Sequence, residues 1–323
     1  MRIVVTHTDL DGIASAAIIT RSLSKVDKYV FTQPHTLHRV LSRIRCSEDC
    51  EIYICDLSPN HSNISSILST IKKLAENGAK VWWFDHHVWD PSWIVSALNA
   101  GIKLSQDTST CSAGIVYRQL GFGDSVSEYI ARAACSLDLW IFDEWLGNFL
   151  ARYVGYSKSE DWRRKVAIRL SKGVLLDEEV LKVVEESMDR ELEILSESLR
   201  KGGVSDICGI RVAYYYKSVK DHVTSYVAAL LMSRFDADMA VICRRGSVSL
   251  RSRGKVDVRE IAKRLGGGGH PNAAGFSLRP PWLYRILLLM NISRPYVKWC
   301  VSRIKTVLCE KTTHGGNSTP VMS

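Results

Sequence analysis

Four short apolar runs, each followed by polar or amphipathic sequence, most constrain the fold of this 323-residue chain. They are Arg2–Thr6 (RIVVT), Lys28–Thr32, Glu51–Cys55 (EIYIC) and Lys80–Phe84 (KVWWF), all rich in β-branched or aromatic residues. Helical patterns follow the first three, near 12–24, 36–45 and 62–77. Strands separated by helices cannot pair as hairpins; they need crossovers, which predicts an α/β fold with a mostly parallel sheet. Residues 109–150 and 158–172 then read as helical.

A charged stretch over 177–201 carries apolar residues (Val180, Leu181, Val184, Met188, Leu192, Leu195, Leu199) mostly three or four apart, and Gly202-Gly203 ends it. This is a one-sided helix, read as a connector. A second α/β region follows. Strands are expected near 210–216, 239–243 and 248–252, with helices near 223–234 and 258–265. A last helix over 281–310, opened by Pro280-Pro281, has an apolar face suited either to packing on the second domain or to a homodimer contact. The expected boundaries are 1–176 for the first domain, 177–203 for the linker helix, 204–310 for the second domain, and 311–323 for a disordered tail.

The 46% apolar and 24% charged residues exclude disorder over most of the chain. No uncharged stretch reaches the roughly eighteen residues of a spanning helix, so no membrane partner is expected. Met1-Arg2 runs straight into the first strand without the layout of a leader. Nine cysteines, an odd count with no C-x-x-C pair, favour reduced thiols in a cytoplasmic protein. Charge divides sharply: residues 1–200 hold 23 basic and 27 acidic residues, and 201–323 hold 20 basic and 7 acidic, a net of −4 against +13. A basic half suits phosphate or nucleic acid as partner, and equally an ordinary solvated surface.

Acidic and imidazole residues recur just past the expected strand ends. Asp9-Leu10-Asp11-Gly12 follows the first strand, Asp56 the third, and Asp85-His86-His87 the fourth. Asp138 lies in a later apolar helix. Ligands bind outside the carboxyl ends of strands in open α/β sheets, so the first six of these side chains should meet at one rim. Gathered there they would repel one another without cations between them. A mixed carboxylate and imidazole set suits manganese, with magnesium, cobalt or zinc as alternatives. Two cations about 3.5–4 Å apart would serve phosphoester hydrolysis. Each piece has a plainer reading. Asp9 and Asp56 could cap helices, Asp138 could be a satisfied helix residue, and His7 could make a local hydrogen bond. Their shared order and strand-end placement argue for the functional reading.

The residues HTDLDG (7–12), CDLSP (55–59), FDHH (84–87) and SLDLW (136–140) resemble the four motifs of the DHH-family phosphoesterases, which include RecJ-type exonucleases, nanoRNases and family II pyrophosphatases. The segment 249–276 (SLRSRGKVDVREIAKRLGGGGHPNAAGF) resembles the DHH-associated substrate domain. The likeness covers roughly residues 1–280. It implies a parallel-sheet metal-binding domain joined by a helical linker to a smaller α/β substrate-binding domain. It implies two manganese ions, with magnesium or cobalt as substitutes. Asp9 and Asp56 would hold one ion, and Asp11, Asp56, His86 and Asp138 the other. Asp85 would orient its neighbours and His87 would face the substrate. The pattern departs from the pyrophosphatase and nanoRNase branches at Val5, where they carry a ligand His; His7 is out of register with that position.

In the second domain the resemblance implies that Arg251, the glycine loop (Gly267, Gly268, Gly269), His270 and Asn272 recognise a phosphate or nucleotide end. Arg253, alternating with Arg251, would face the same side. The expected activity is metal-dependent hydrolysis of short single-stranded RNA or DNA, or of a small nucleotide such as 3′-phosphoadenosine 5′-phosphate. A RecJ-like single-strand-specific DNA exonuclease and a non-catalytic replication scaffold are the alternatives. The completeness of the acidic set weighs against the scaffold. Absence of an aromatic ladder and of an extra nucleic-acid-binding domain weighs toward short substrates.

Overall fold

The computed structural model describes residues 1–46, 49–218 and 223–314, without the side chains of 310–314. The chain divides into two compact units, Met1–Ser187 and Met188–Ser323.

In the first unit β1 (Arg2–Thr6), α1 (Leu10–Leu23), β2 (Lys28–Phe31), α2 (Leu37–Leu41), β3 (Glu51–Cys55), α3 (Ile64–Glu76), β4 (Lys80–Asp85), α4 (Pro91–Asn99) and β5 (Lys103–Gln106) alternate along the chain. The sheet has the order β2-β1-β3-β4-β5, and every pairing is parallel. Successive strand residues face opposite sides of a sheet. Ile3, Val5, Ile52, Ile54, Val81 and Trp83 therefore share one buried cluster with Leu37, Leu41, Ile67 and Ile71 of α2 and α3. Val4, Tyr53, Cys55 and Phe84 belong to the cluster on the other face, with α1. Residues 10–19 of α1 are all buried, because α5 (Ser112–Val116), α6 (Ser125–Asp138), α7 (Trp145–Gly155) and α8 (Glu160–Ser171) pack around it. The order reverses between β1 and β3, and a crevice at such a switch point is where α/β sheets bind ligands.

A 24-residue helix, α9 (Glu178–Lys201), contains the division between the units; its Val180, Val183 and Val184 join the first unit's core. The second unit holds β6 (Gly203–Ile207), β7 (Ile210–Tyr216), α10 (Thr224–Phe235), β8 (Met239–Arg244), β9 (Gly246–Ser252), α11 (Val258–Arg264), β10 (Gly268–Gly269), β11 (Ala273–Leu278), α12 (Trp282–Leu289) and α13 (Arg294–His314). Its sheet runs β10-β11-β9-β8-β7-β6, with β7 and β8 the parallel pair. Both units are α/β, as expected. Among the described residues no helix is long and apolar enough to cross a membrane.

Four features differ from expectation. β5 (KLSQ) and β6 (GVSDI) are too polar to announce themselves, and β10 and β11 lie inside the glycine-rich signature. The single helix expected over 281–310 is two, broken at Asn291 with φ +62°. Pro295, second residue of α13, has no N–H to extend the preceding helix. The expected tail from 311 overlaps α13, which continues to His314; residues 315–323 lie outside the described residues. The cysteines are not all reduced. Cys46–Cys50, Cys111–Cys135 and Cys208–Cys309 are disulfides, and Cys55, Cys243 and Cys300 are buried thiols. An odd count leaves room for three bridges, so parity alone could not exclude them.

Candidate metal centre

The sheet rim is built by three short backbone devices. Asp9 leaves β1 extended and caps α1, accepting from Gly12 N at 3.2 Å. Gly12 is required there, because a Cβ would stand 2.6 Å from the His7 carbonyl oxygen. Asp56 leaves β3 in the left-handed region at φ +56°. Its N–H donates to the Phe84 carbonyl at 3.0 Å, which holds the turn against β4. Asp85 closes β4 and presents His86 and His87.

His86 is the hub. Its Nε2 lies 3.3 Å from Asp56 Oδ1, 3.6 Å from Asp11 Oδ2 and 3.5 Å from Asp138 Oδ2. Asp11 is fixed from far along the chain, accepting from Ser112 N at 2.8 Å and Ala113 N at 2.7 Å. Asp138 is the last residue of α6, where the helix dipole disfavours a carboxylate. On the other side His7 Nδ1 lies 2.7 Å from Asp9 Oδ2 and 3.3 Å from Asp56 Oδ2. Asp56 thus turns one oxygen toward each group. Ligand atoms of His7, Asp9 and Asp56, and those of Asp11, His86 and Asp138, lie within 4.8 Å of one another in each set.

Asp85, His87 and Asp56 form a third such grouping. Here the Asp85 carboxylate is already engaged. His87 Nδ1 lies 2.8 Å from Asp85 Oδ1, and Trp89 Nε1 donates to Oδ2 at 2.6 Å. Asp85 therefore reads as an orienting group for His87.

The electrostatics follow from burial. Burial, then Asp9 and Asp11, push the Asp56 carboxyl well above the usual carboxylate range. Burial and Asp11 do the same to Asp138. Burial opposes protonation of His7, yet Asp9 and Asp56 outweigh it and hold the imidazole well above its ordinary value. Asp85 likewise overcomes the burial of His87 and raises its pKa. Buried carboxylates stacked this closely are high in energy unless a positive charge joins them. Asp56 Oδ2 and Asp138 Oδ2 are buried without a hydrogen bond among the described residues. Orphaned carboxylate oxygens beside imidazoles are the donor set of a divalent cation, so these residues fit the metals expected.

All seven sequence-selected residues of the first unit therefore meet at one rim: Asp9, Asp11, Asp56, Asp85, His86, His87 and Asp138. His7, out of register with the ligand His of related branches, joins them. Its position two residues before Asp9 at a strand end was the available signal.

In the second unit Arg251 reaches α10, its Nε donating to Ser225 Oγ at 3.2 Å. Arg253 lies just past β9 and also faces α10, donating to Ser233 Oγ at 2.8 Å. The glycine loop is a tight hairpin. A Cβ on Gly267 would stand 2.1 Å from the Gly275 carbonyl oxygen, and Gly269 has φ +134°. His270 N donates to Ala273 O at 2.8 Å, and Asn272 O accepts from Ser252 N at 3.0 Å.

Comparison with known proteins gives the class. The DHH family, N-terminal domain matches residues 2–137, and the DHHA1 domain matches residues 209–290. The chain belongs to the DHH family. Its fold is similar to RecJ from Thermus thermophilus in complex with Mn2+, at 15% identity and TM-score 0.59 over 96% of this chain and 52% of that one. It is similar to the pGpG-specific phosphodiesterase PggH from Vibrio, at 16% identity and TM-score 0.51 over 90% and 98%. CDC45 from Entamoeba histolytica shares the fold at 10% identity and TM-score 0.53 over 95% of each chain. No curated protein matches.

Proposed function

We propose that this chain is a metal-dependent phosphodiesterase that hydrolyses short oligonucleotides or small nucleotides such as 3′-phosphoadenosine 5′-phosphate. One observation carries the reading: Asp56 is shared between two sets of carboxylate and imidazole donors, His7 and Asp9 on one side, Asp11, His86 and Asp138 on the other. Two divalent cations, manganese first and magnesium or cobalt as substitutes, would supply charge neutralisation at the phosphate and acidification of water.

The chain's own residues do the rest. Asp85 and Trp89 fix the His87 ring, and the pairing with Asp85 favours the imidazolium. A protonated His87 can polarise a phosphate oxygen or give its proton to the leaving oxygen. In the second unit, Arg251 and Arg253, with Gly267, Gly268, Gly269, His270 and Asn272, are the proposed holders of a terminal phosphate. A guanidinium paired to phosphate would position the scissile bond. The Vibrio neighbour, named for a dinucleotide, supports the short-substrate reading. The RecJ neighbour supports the alternative of single-strand DNA degradation.

Purified protein with Mn2+ or Mg2+ should cleave two- to five-nucleotide RNA or 3′-phosphoadenosine 5′-phosphate faster than long single-stranded DNA. A preference for the long DNA would overturn the short-substrate reading in favour of the exonuclease. No cleavage of any substrate, with Asp56→Asn binding metal as well as the native protein, would overturn catalysis in favour of a scaffold. Arg251→Ala with full activity on every substrate would remove the phosphate anchor.

A further inference from the structure

The Cys111–Cys135 disulfide ties α5, whose first two amides hold the Asp11 carboxylate, to α6, which carries Asp138. Cys111 is the N-cap of α5, its Sγ accepting from Gly114 N at 3.4 Å. The next two residues, Ser112 and Ala113, give their N–H groups to the two oxygens of Asp11. Where α5 begins therefore decides where Asp11 points. A five-residue helix has little rigidity of its own. At the other end of the bridge, Cys135 sits three residues before Asp138 in α6, just short of a helix end that would otherwise fray. His86 Nε2 stands between the two carboxylates, 3.6 Å from Asp11 and 3.5 Å from Asp138. The joint has no slack: a Cβ on Gly114 would meet Thr110 Oγ1 at 2.2 Å and Cys135 Sγ at 3.1 Å.

We propose that Cys111 and Cys135 are positioning residues of the metal centre, their disulfide setting the spacing of Asp11 and Asp138 around His86, so that reducing it weakens divalent-cation binding. The proposal rests on the metal reading above. Reduction by a dithiol balances simply. The S–S bond breaks, two electrons and two protons pass to the cysteines, and the reductant closes to its own cyclic disulfide. Cys208–Cys309, which lies in the second unit, gives an internal control.

The test is Mn2+ titration by calorimetry on four full-length samples, with thiols counted on each. They are native oxidised protein, native protein reduced with dithiothreitol and desalted without air, C111S/C135S, and C208S/C309S. Serine at 111 keeps an N-cap for α5. Mn2+ affinity should fall about 10–100-fold, the range for lost ligand-supporting contacts, in the reduced protein and in C111S/C135S. C208S/C309S should lose thermal stability with unchanged Mn2+ affinity, the pattern that C111S/C135S would share if the 111–135 bridge were merely structural. Equal affinity in the oxidised and reduced native protein would overturn the proposal, whether or not C111S/C135S folds. Absence of Mn2+ binding in the oxidised native protein would instead overturn the metal reading itself.

Discussion

Asp56→Asn is the sharpest single perturbation of this molecule, because the structure isolates charge as the variable. Asp56 sits at φ +56°, a region that asparagine tolerates as readily as aspartate, so the backbone has no reason to move. Shape is conserved and one carboxylate is lost. Without metal, that carboxylate is a liability. Burial together with Asp9 and Asp11 raises its pKa, so the folded state retains a proton that the unfolded chain releases near pH 4. Stability of the metal-free native protein should therefore fall as pH rises from about 4 toward the raised pKa. The variant should lose the Asp56 share of that slope, Asp138 keeping its own, and melt at or above the native protein in chelator. With metal the order reverses. A ligand at about 100 times its Kd adds about 2.7 kcal/mol. At about 2–4 °C per kcal/mol for a unit of this size, the native melting temperature should rise by about 5–11 °C. Asp56→Asn, missing the donor common to both sets, should gain little. Calorimetric melting in chelator and in excess Mn2+ reads both effects. An equal metal-induced rise in native and variant protein would refute the shared-ligand reasoning.

Gly12→Ala places a Cβ 2.6 Å from the His7 carbonyl oxygen, a backbone atom with nowhere to go. It should cost about 1–3 kcal/mol in urea denaturation and displace Asp9 from its cap. Asp124 caps α6 and pairs with Arg21 at 2.6 and 2.9 Å, which depresses its pKa. Partial exposure screens the pair, so Asp124→Ala should lose about 1–2 kcal/mol at neutral pH. A depressed carboxylate stabilises above its unfolded pKa, so the gap between native and variant should close as pH falls below about 4. Gly267→Ala should disrupt the β10–β11 hairpin and lower the melting temperature, whereas Gly268, with nothing within 4 Å of an added methyl, should accept alanine without loss. A raised KM for Gly268→Ala at unchanged stability would mark the loop as a substrate contact, and an unchanged KM would leave it a structural hairpin.

The first unit was legible because parallel strands buried on both faces must be apolar throughout. RIVVT, EIYIC and KVWWF satisfy that plainly. The edge strand β5 is half-buried on its way out of the sheet, so KLSQ carries no such run. β6 pairs antiparallel at the opposite edge of the second sheet, and its glycine was indistinguishable from a helix stop. The two-helix end of the chain turns on one left-handed residue, Asn291, inside an otherwise continuous apolar pattern. Long-range links were out of reach. Nothing local connects Asp11 to amides 101 and 102 residues away, or Cys111 to Cys135.

At the site, the sequence posed a choice between helix cap and metal ligand that the geometry dissolves. A carboxylate has two oxygens. Asp9 spends Oδ1 on the Gly12 amide and turns Oδ2 to His7. Asp11 accepts two amides and still stands 3.6 Å from His86. Capping orients these acids and leaves lone pairs to spare, so the plain role supports the chemical one. The glycine loop goes the opposite way. Close approach to β11 requires glycine at 267 whether or not a phosphate binds, so the motif that looked most like an anion cradle carries less functional weight than its composition suggests. Functional weight therefore rests on groups that packing does not explain: the orphaned oxygens of Asp56 and Asp138, the first turned to His7 and the second to His86.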